Sequence, residues 1–306
     1  MEDLVPMIGQ EMMRISDKYF TTEPLCGYAR NFIREKQAES MRFGLLTVLH
    51  YRMFGGSSEQ IYQAAAAIEL FILASDILDD LQDGDAPHQV WSQVPAAAAM
   101  HTAASFLVLS QQAMLELEFG QAALIRVAHM MNGQLLKAAN GQMLDLMNAV
   151  TDEDSYMFMV QHKSAALIVM ACMTGVMLAG KEWHPIVAQY AEEVGMAAQI
   201  KNDIRDLVRW DDKNDFLLRK KTLLTLFLLE EIAEQDLWIK DYFEGRQQSE
   251  DIAGRQRMLE EAFDRSGAAL YGSVRMRMHF NRFQELLDEV PEAASAKEKL
   301  LQIFSS

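Results

Sequence analysis

The sequence predicts an all-α fold, a single large helical bundle spanning residues 1–306. Only six prolines occur, at positions 6, 24, 87, 95, 185 and 291, which leaves long uninterrupted stretches rich in the strong helix formers Ala, Leu, Met, Glu and Gln. Few windows show the alternation of β-branched and polar residues that a strand needs. Nor does any internal repeat, low-complexity tract or linker-like shift in composition divide the chain. Helices are expected at residues 35–53, 57–81, 97–117, 121–148, 153–178, 185–208, 217–232, 236–245, 250–265, 267–287 and 294–304. Turn-forming clusters mark several joins, among them Gly55-Gly56-Ser57-Ser58, Gly84-Asp85-Ala86-Pro87, Thr151-Asp152 and Gly180-Lys181. Residues 68–81 and 165–178 are apolar nearly all round, which places those two helices inside the bundle.

Charge and cysteine usage narrow the function classes. A balance of 44 acidic against 28 basic side chains gives a net charge of −16, which argues against nucleic acid as a partner. Any anionic ligand must then be held by local Lys or Arg, or through a metal. The two cysteines, Cys26 and Cys172, both fall in helical stretches, so a disulfide framework is not expected and a reducing cytoplasmic setting is. The acidic N-terminal stretch lacks the basic flank and apolar core of a signal peptide. The longest apolar run, residues 165–180, falls short of the ~18 residues or more of a membrane span. It reads as a buried core helix and leaves at most peripheral membrane contact. The 21 methionines fit irregular apolar packing.

Two acidic sets stand out against this background. Asp76, Asp79, Asp80 and Asp83 recur at helical spacing, and Gln199, Asn202, Asp203 and Asp206 do so again later. At about 100° of rotation per residue, each set falls on one face of its own helix. Like charges at that spacing repel, so each face calls for a compensating cation. With every candidate donor an oxygen and no His or Cys interleaved, Mg²⁺ suits the sets better than zinc or copper.

At these positions the sequence resembles the trans-isoprenyl diphosphate synthase (polyprenyl synthetase) family, whose hallmark is two D-D-x-x-D motifs on an all-α bundle. Asp79-Asp80-Leu81-Gln82-Asp83 matches the first motif, with Glu69 and Ser75 at its lead-in positions. Gln199-Ile200-Lys201-Asn202-Asp203-Ile204-Arg205-Asp206 is similar to the second. Further matches, in family order, are Gly141-Gln142 with Asp145, Lys163-Ser164-Ala165-Ala166-Leu167, and Lys221-Thr222-Leu223. The resemblance implies an isoprenoid synthase-like bundle with a central cavity and a prenyltransferase activity dependent on two or three Mg²⁺ ions. It implies metal ligation by Asp79, Asp80, Asp83, Asn202, Asp203 and Asp206. It assigns Lys163, Gln199, Lys221 and Arg42 to the substrate diphosphate, with Asp79, Asp83, Asp203 and Lys163 the catalytic core of the set. Ala74 and Ser75, about one turn before Asp79, are the expected limit of the prenyl-tail pocket. The resemblance also admits a homodimer.

The departures bear on the acceptor. Chain-elongating members carry a Gly-Lys-x-x-Arg element and an Arg pair soon after the first motif, and these cations hold isopentenyl diphosphate. Here Arg42 is kept, but Glu39 takes the lysine position and Asp83 is followed by Gly-Asp-Ala-Pro-His-Gln. Asn202 replaces the first Asp of the second motif, keeping an oxygen donor while losing a charge. The pattern is similar to the branch that prenylates a tryptophan in the precursor of a quorum-sensing, competence-related peptide pheromone. The expected partners are therefore an allylic prenyl diphosphate, geranyl or farnesyl, and a Trp-containing precursor peptide. The alternative is an ordinary short-chain prenyl diphosphate synthase making geranyl, farnesyl or geranylgeranyl diphosphate.

Overall fold

In the computed structural model, residues 4–84, 86–206 and 215–305 are described, and no strand occurs among them. The helices are α1 (Leu4–Tyr19), α2 (Glu23–Gln37), α3 (Arg42–Met53), α4 (Ile61–Asp83), α5 (Ala96–Leu115), α6 (Gln121–Leu146) and α7 (Glu153–Val160). A π-helical turn, Gln161–Ala165, leads directly into α8 (Ala166–Leu178). There follow α9 (Pro185–Asp206), α10 (Leu223–Glu230), α11 (Leu237–Phe243), α12 (Gln256–Ser266), α13 (Ala268–Asp288) and α14 (Lys297–Ser305). Residues 207 and 208, the expected end of the helix from 185, lie outside the described residues.

The chain divides into two compact units. The first comprises Met1–Leu136, Leu167–Ala191 and Glu285–Ser306. Its centre is α4, which packs mainly on α5 and also on α3 and α1. Every residue from Ala64 to Ala74 on α4 is buried, as a circumference apolar except for Glu69 requires. Both segments long and apolar enough to cross a membrane, Ile61–Asp83 and Glu153–Leu178, are mostly buried within the protein. Cys26 and Cys172 are free thiols, each buried. Between α3 and α9, His50 donates from Nδ1 to the Leu46 carbonyl at 2.7 Å and accepts the Tyr190 hydroxyl at Nε2, 2.5 Å away. Burial lowers its pKa to about 4, so this imidazole is neutral and structural.

Two features of the first unit differ from expectation. Amphipathic α1, with Ile8, Met12 and Ile15 buried, and most of α2 precede the expected start at residue 35. Pro6 is tolerated in α1 because the first turn has no N–H obligations. The helix expected at 35–53 is instead broken after Gln37, and Met41 adopts a left-handed conformation with φ +46°. That conformation costs ~1–2 kcal/mol for an L-residue, and complete burial of the Met41 side chain offsets it.

The second unit comprises Lys137–Ala166 and Glu192–Gln284. One apolar cluster joins Leu224, Trp238, Ile239, Tyr242, Leu259 and Phe263. Another joins Tyr156, Val160, Ala165, Met196, Ile200 and Leu223, and so fixes α7, α9 and α10 around the second acidic set. The long helix expected at 217–232 is confined to Leu223–Glu230, because the chain turns at residues 215–219 and Thr222 then caps α10, accepting the Thr225 N–H.

Candidate active site

The first acidic set occupies the last two turns of α4 and is closed off by Gly84, whose φ of +67° lets its N–H turn back to the Asp80 carbonyl at 2.9 Å. The helix thus ends at Asp83, two residues beyond expectation. The set therefore lies in the last turns of α4, at the negative end of the helix dipole, where anions are disfavoured. Asp79, Asp80 and Asp83 are half-buried. Trp91, which lies in the following loop, donates its indole N–H to Asp80 Oδ2 at 2.9 Å and stands edge-on to Phe32 with ring centroids 6.0 Å apart. Nothing in the sequence pattern singled this tryptophan out.

Asp76 has a different role from its neighbours. Lys36, at the end of α2 and only 6% exposed, donates to Asp76 Oδ2 at 2.9 Å and to Glu39 Oε2 at 2.7 Å. Burial opposes the Lys36 charge, but Asp76, Glu69 and Glu39 outweigh it and raise its pKa. Glu69 is fully buried; its Oε1 accepts the Gly44 N–H at 2.6 Å and its Oε2 has no hydrogen-bond partner. Burial pushes its pKa up to about 7 against the opposing pull of Lys36. Helical rotation puts Glu69, Ile72, Asp76, Asp79 and Asp83 on one stripe of α4. Ala74, completely buried, lies on the opposite side of the helix, and Ser75, bonded to the Phe71 carbonyl, flanks the stripe. The side chain directly beneath the carboxylates is therefore Ile72. Arg42 is exposed at the start of α3, with its Nε 3.1 Å from Ser40 Oγ.

In the second unit the π turn carries the expected lysine and serine. Such single-turn distortions recur at functional sites because they re-aim side chains within a helix. A Cβ on Gly141 would fall 2.3 Å from the Lys163 backbone nitrogen, so α6 approaches the π turn closely only because residue 141 has no side chain. Lys163 Nζ lies 2.6 Å from Asp145 Oδ2, and Lys220 Nζ lies 3.6 Å from the same oxygen. Burial opposes ionisation of Asp145, but the two ammonium groups prevail and hold its pKa below the ordinary value. Lys220, which reads from sequence as a surface lysine, thus joins Lys163; its neighbour Lys221 is half-buried immediately before the α10 cap.

A hydrogen-bonded chain runs from the π turn to the second motif. Ser164 donates to Gln199 Oε1 at 2.9 Å, and Gln199 Nε2 donates to Asp203 Oδ1 at 2.9 Å. The Tyr156 hydroxyl donates to Asp203 Oδ2. Asp203 is only 5% exposed, and burial raises its pKa to about 7 despite these two donors. Asp206 is half-buried beside Arg205, and Asn202 and Lys201 are exposed. A small cavity is lined by Asp203, Asp206, Asp215, Phe216, Thr222 and Thr225; Asp215 was not anticipated.

Both sets fit a hard divalent cation by donor chemistry, with oxygen donors and like charges at helical spacing, and the first set also lies at an unfavourable helix end. Among the described residues no three His, Cys, Asp or Glu side chains form a ready-made metal cage. Mg²⁺ does not need one, since it is commonly held by one or two carboxylates with water and substrate phosphate.

An all-α fold carrying these carboxylate and lysine sets defines a prenyltransferase. The polyprenyl synthetase family model matches residues 32–261, and the chain belongs to that family. A tryptophan prenyltransferase ComQ from Bacillus spizizenii is 33% identical over 206 residues, covering 66% of this chain and 70% of that protein. A tryptophan prenyltransferase ComQ from Bacillus subtilis (strain 168) is 26% identical over 307 residues, covering 96% and 97%. Among solved structures, the polyprenyl synthetase from Streptomyces coelicolor A3(2) superposes with a TM-score of 0.84 at 17% identity, covering 100% of this chain and 97% of that one.

Proposed function

We propose that this enzyme transfers a geranyl or farnesyl group from its diphosphate to a tryptophan of a quorum-sensing pheromone precursor peptide, in the cytoplasm and with Mg²⁺. The observation that carries this reading is a complete first motif, Asp79 to Asp83, followed by no basic pair, in a chain similar over nearly its whole length to a tryptophan prenyltransferase. The donor machinery is kept, while the lysine and the arginine pair for a second diphosphate are replaced.

In this reading Asp79, Asp80 and Asp83, with Asn202, Asp203 and Asp206, hold two or three Mg²⁺ ions. Bound Mg²⁺ supplies Lewis acidity toward the diphosphate oxygens. Lys163, Lys221 and Arg42 bind those oxygens, joined by Lys220, and Gln199 orients Asp203. Together these groups favour the charge that builds on the leaving diphosphate as the allylic C–O bond breaks and its electron pair departs with oxygen. The tail lies along apolar surface near Ser75 and Ile72. Indole C3 then attacks the allylic carbon, a backbone nitrogen closes onto C2, and that nitrogen's proton is released. No strong base is required, because indole is electron-rich enough to trap the cation.

Co-expression with a Trp-containing peptide encoded beside this gene tests the reading by mass spectrometry. The expected result is a mass gain of one prenyl group less a hydrogen, lost on Asp79→Ala. Efficient conversion of isopentenyl diphosphate to longer diphosphates, with no peptide product, would instead establish chain elongation.

A further inference from the structure

The buried Lys36 has no part in the chemistry above, yet it sits one turn from the first motif. Its ammonium is saturated: Asp76 holds it at 2.9 Å, Glu39 at 2.7 Å, and Glu69 adds a third attraction. Three carboxylates around one lysine leave the cluster negative whether or not Glu69 is protonated. Lys36 itself is buried while Asp76 and Glu39 are partly exposed, so removing both carboxylates would leave the buried ammonium without compensation. Lys36 is therefore engaged by its own carboxylates, and the cluster carries surplus negative charge one turn from the first motif. Arg42, the other cation of this segment, is exposed and engaged with Ser40.

We propose that the Lys36–Glu39–Asp76 cluster determines acceptor specificity: it turns away a second diphosphate and so leaves the allylic cation to an uncharged nucleophile. Discrimination by an opposing charge is an established route to specificity, because the wrong partner is penalised without any new contact to the right one. The inference rests on the proposed function in one respect only, that an allylic diphosphate is bound at the carboxylates of α4. Neither Lys36 nor Asp76 needs to touch substrate for the effect; both act through the field they set.

Calorimetric titration of the full chain with isopentenyl diphosphate, in Mg²⁺ and with a non-ionisable allylic thiolodiphosphate already bound, reads the second diphosphate alone. Two variants are compared with wild type. Glu39→Lys changes an exposed side chain and keeps Asp76 as a partner of Lys36, and its folding is checked by helicity and thermal unfolding. Glu39→Gln combined with Asp76→Asn releases the Lys36 ammonium. Each is expected to bind isopentenyl diphosphate at least about tenfold more tightly than wild type, a difference of ~1.4 kcal/mol. Wild-type-like binding in both variants, or wild-type binding as tight as theirs, overturns the proposal. A peptide assay on the wild type runs in parallel: failure to prenylate a tryptophan there would defeat the acceptor assignment while the titration still decides the role of the cluster.

Discussion

Glu69 offers the most quantitative test of the interior beneath the first motif. Its carboxyl is fully buried, one oxygen accepts the Gly44 N–H, the other has no partner, and its pKa is pushed from 4.5 to about 7, chiefly by burial. A carboxyl whose folded pKa is raised contributes stability that is fully present below its unfolded pKa and is lost as pH rises through the folded one. At ~1.4 kcal/mol for each tenfold change in proton affinity, the displacement amounts to roughly 3 kcal/mol. Glu69→Gln keeps an oxygen for the Gly44 N–H and cannot ionise. Lys36 remains charged throughout, since Asp76 and Glu39 still hold it. The stability of the variant relative to wild type should therefore climb by about 3 kcal/mol between pH 4.5 and pH 8, most steeply between the unfolded value of 4.5 and the folded value of about 7, and level off above it. Urea unfolding of both proteins at several pH values measures this, and the difference cancels every other titrating group. A relative stability independent of pH, or one that falls as pH rises, would show that Glu69 is ionised without penalty and that the buried-cluster argument is wrong.

Other expectations follow from individual contacts. Trp91→Phe keeps the edge-on packing against Phe32 but removes the N–H that fixes Asp80, so Mg²⁺ affinity in activity assays should weaken about 10- to 100-fold with helicity unchanged. Gly141→Ala forces a Cβ to within 2.3 Å of the Lys163 backbone and should lower stability by ~1–3 kcal/mol or more, read by thermal unfolding. Asp79→Ala and Asp203→Ala should both abolish product, but their stabilities should part. The half-buried Asp79 is dispensable to the fold, whereas loss of Asp203 strands the buried Tyr156 hydroxyl and costs ~1–3 kcal/mol.

How much of this was legible in advance depends on where the information lies. Helix existence follows from composition, so α4 to α9 appear close to their expected ranges. The break between α2 and α3 does not, because residues 38–41 are ordinary helix formers and only burial of Met41 selects the left-handed turn. The carboxylates of α4 were readable from spacing, and the turn cluster beginning at Gly84 already marked the helix end that sets them against the dipole. Lys36 and Lys220 look like solvated charges in sequence, and their carboxylate partners come from distant segments. Trp91 belongs to a stretch that reads only as loop. The π turn is invisible as well, since a change of hydrogen-bond register leaves no mark on residue type. Ala74 was chosen for its small size near the motif, and rotation about α4 favours Ile72 instead.

The two acidic sets also make a prediction about the protein without substrate. Each places carboxylates in adjacent turns against their mutual repulsion, and the set on α4 lies against the helix dipole as well. The folded chain stores that unfavourable energy, and a cation that relieves it binds the native state alone. Mg²⁺ should therefore raise the unfolding midpoint, with a gain of ~2.7 kcal/mol when its concentration is 100 times its dissociation constant. General screening by salt would act on all 44 acidic side chains, so an equal ionic strength of KCl is the control. Asp79→Ala should reduce the Mg²⁺-specific part of the gain while raising stability in its absence, because it removes one of the repelling charges. If Mg²⁺ and matched KCl stabilise the wild type equally, the carboxylates do not act as a cation site in the free enzyme, and metal must enter only together with the diphosphate that bridges it.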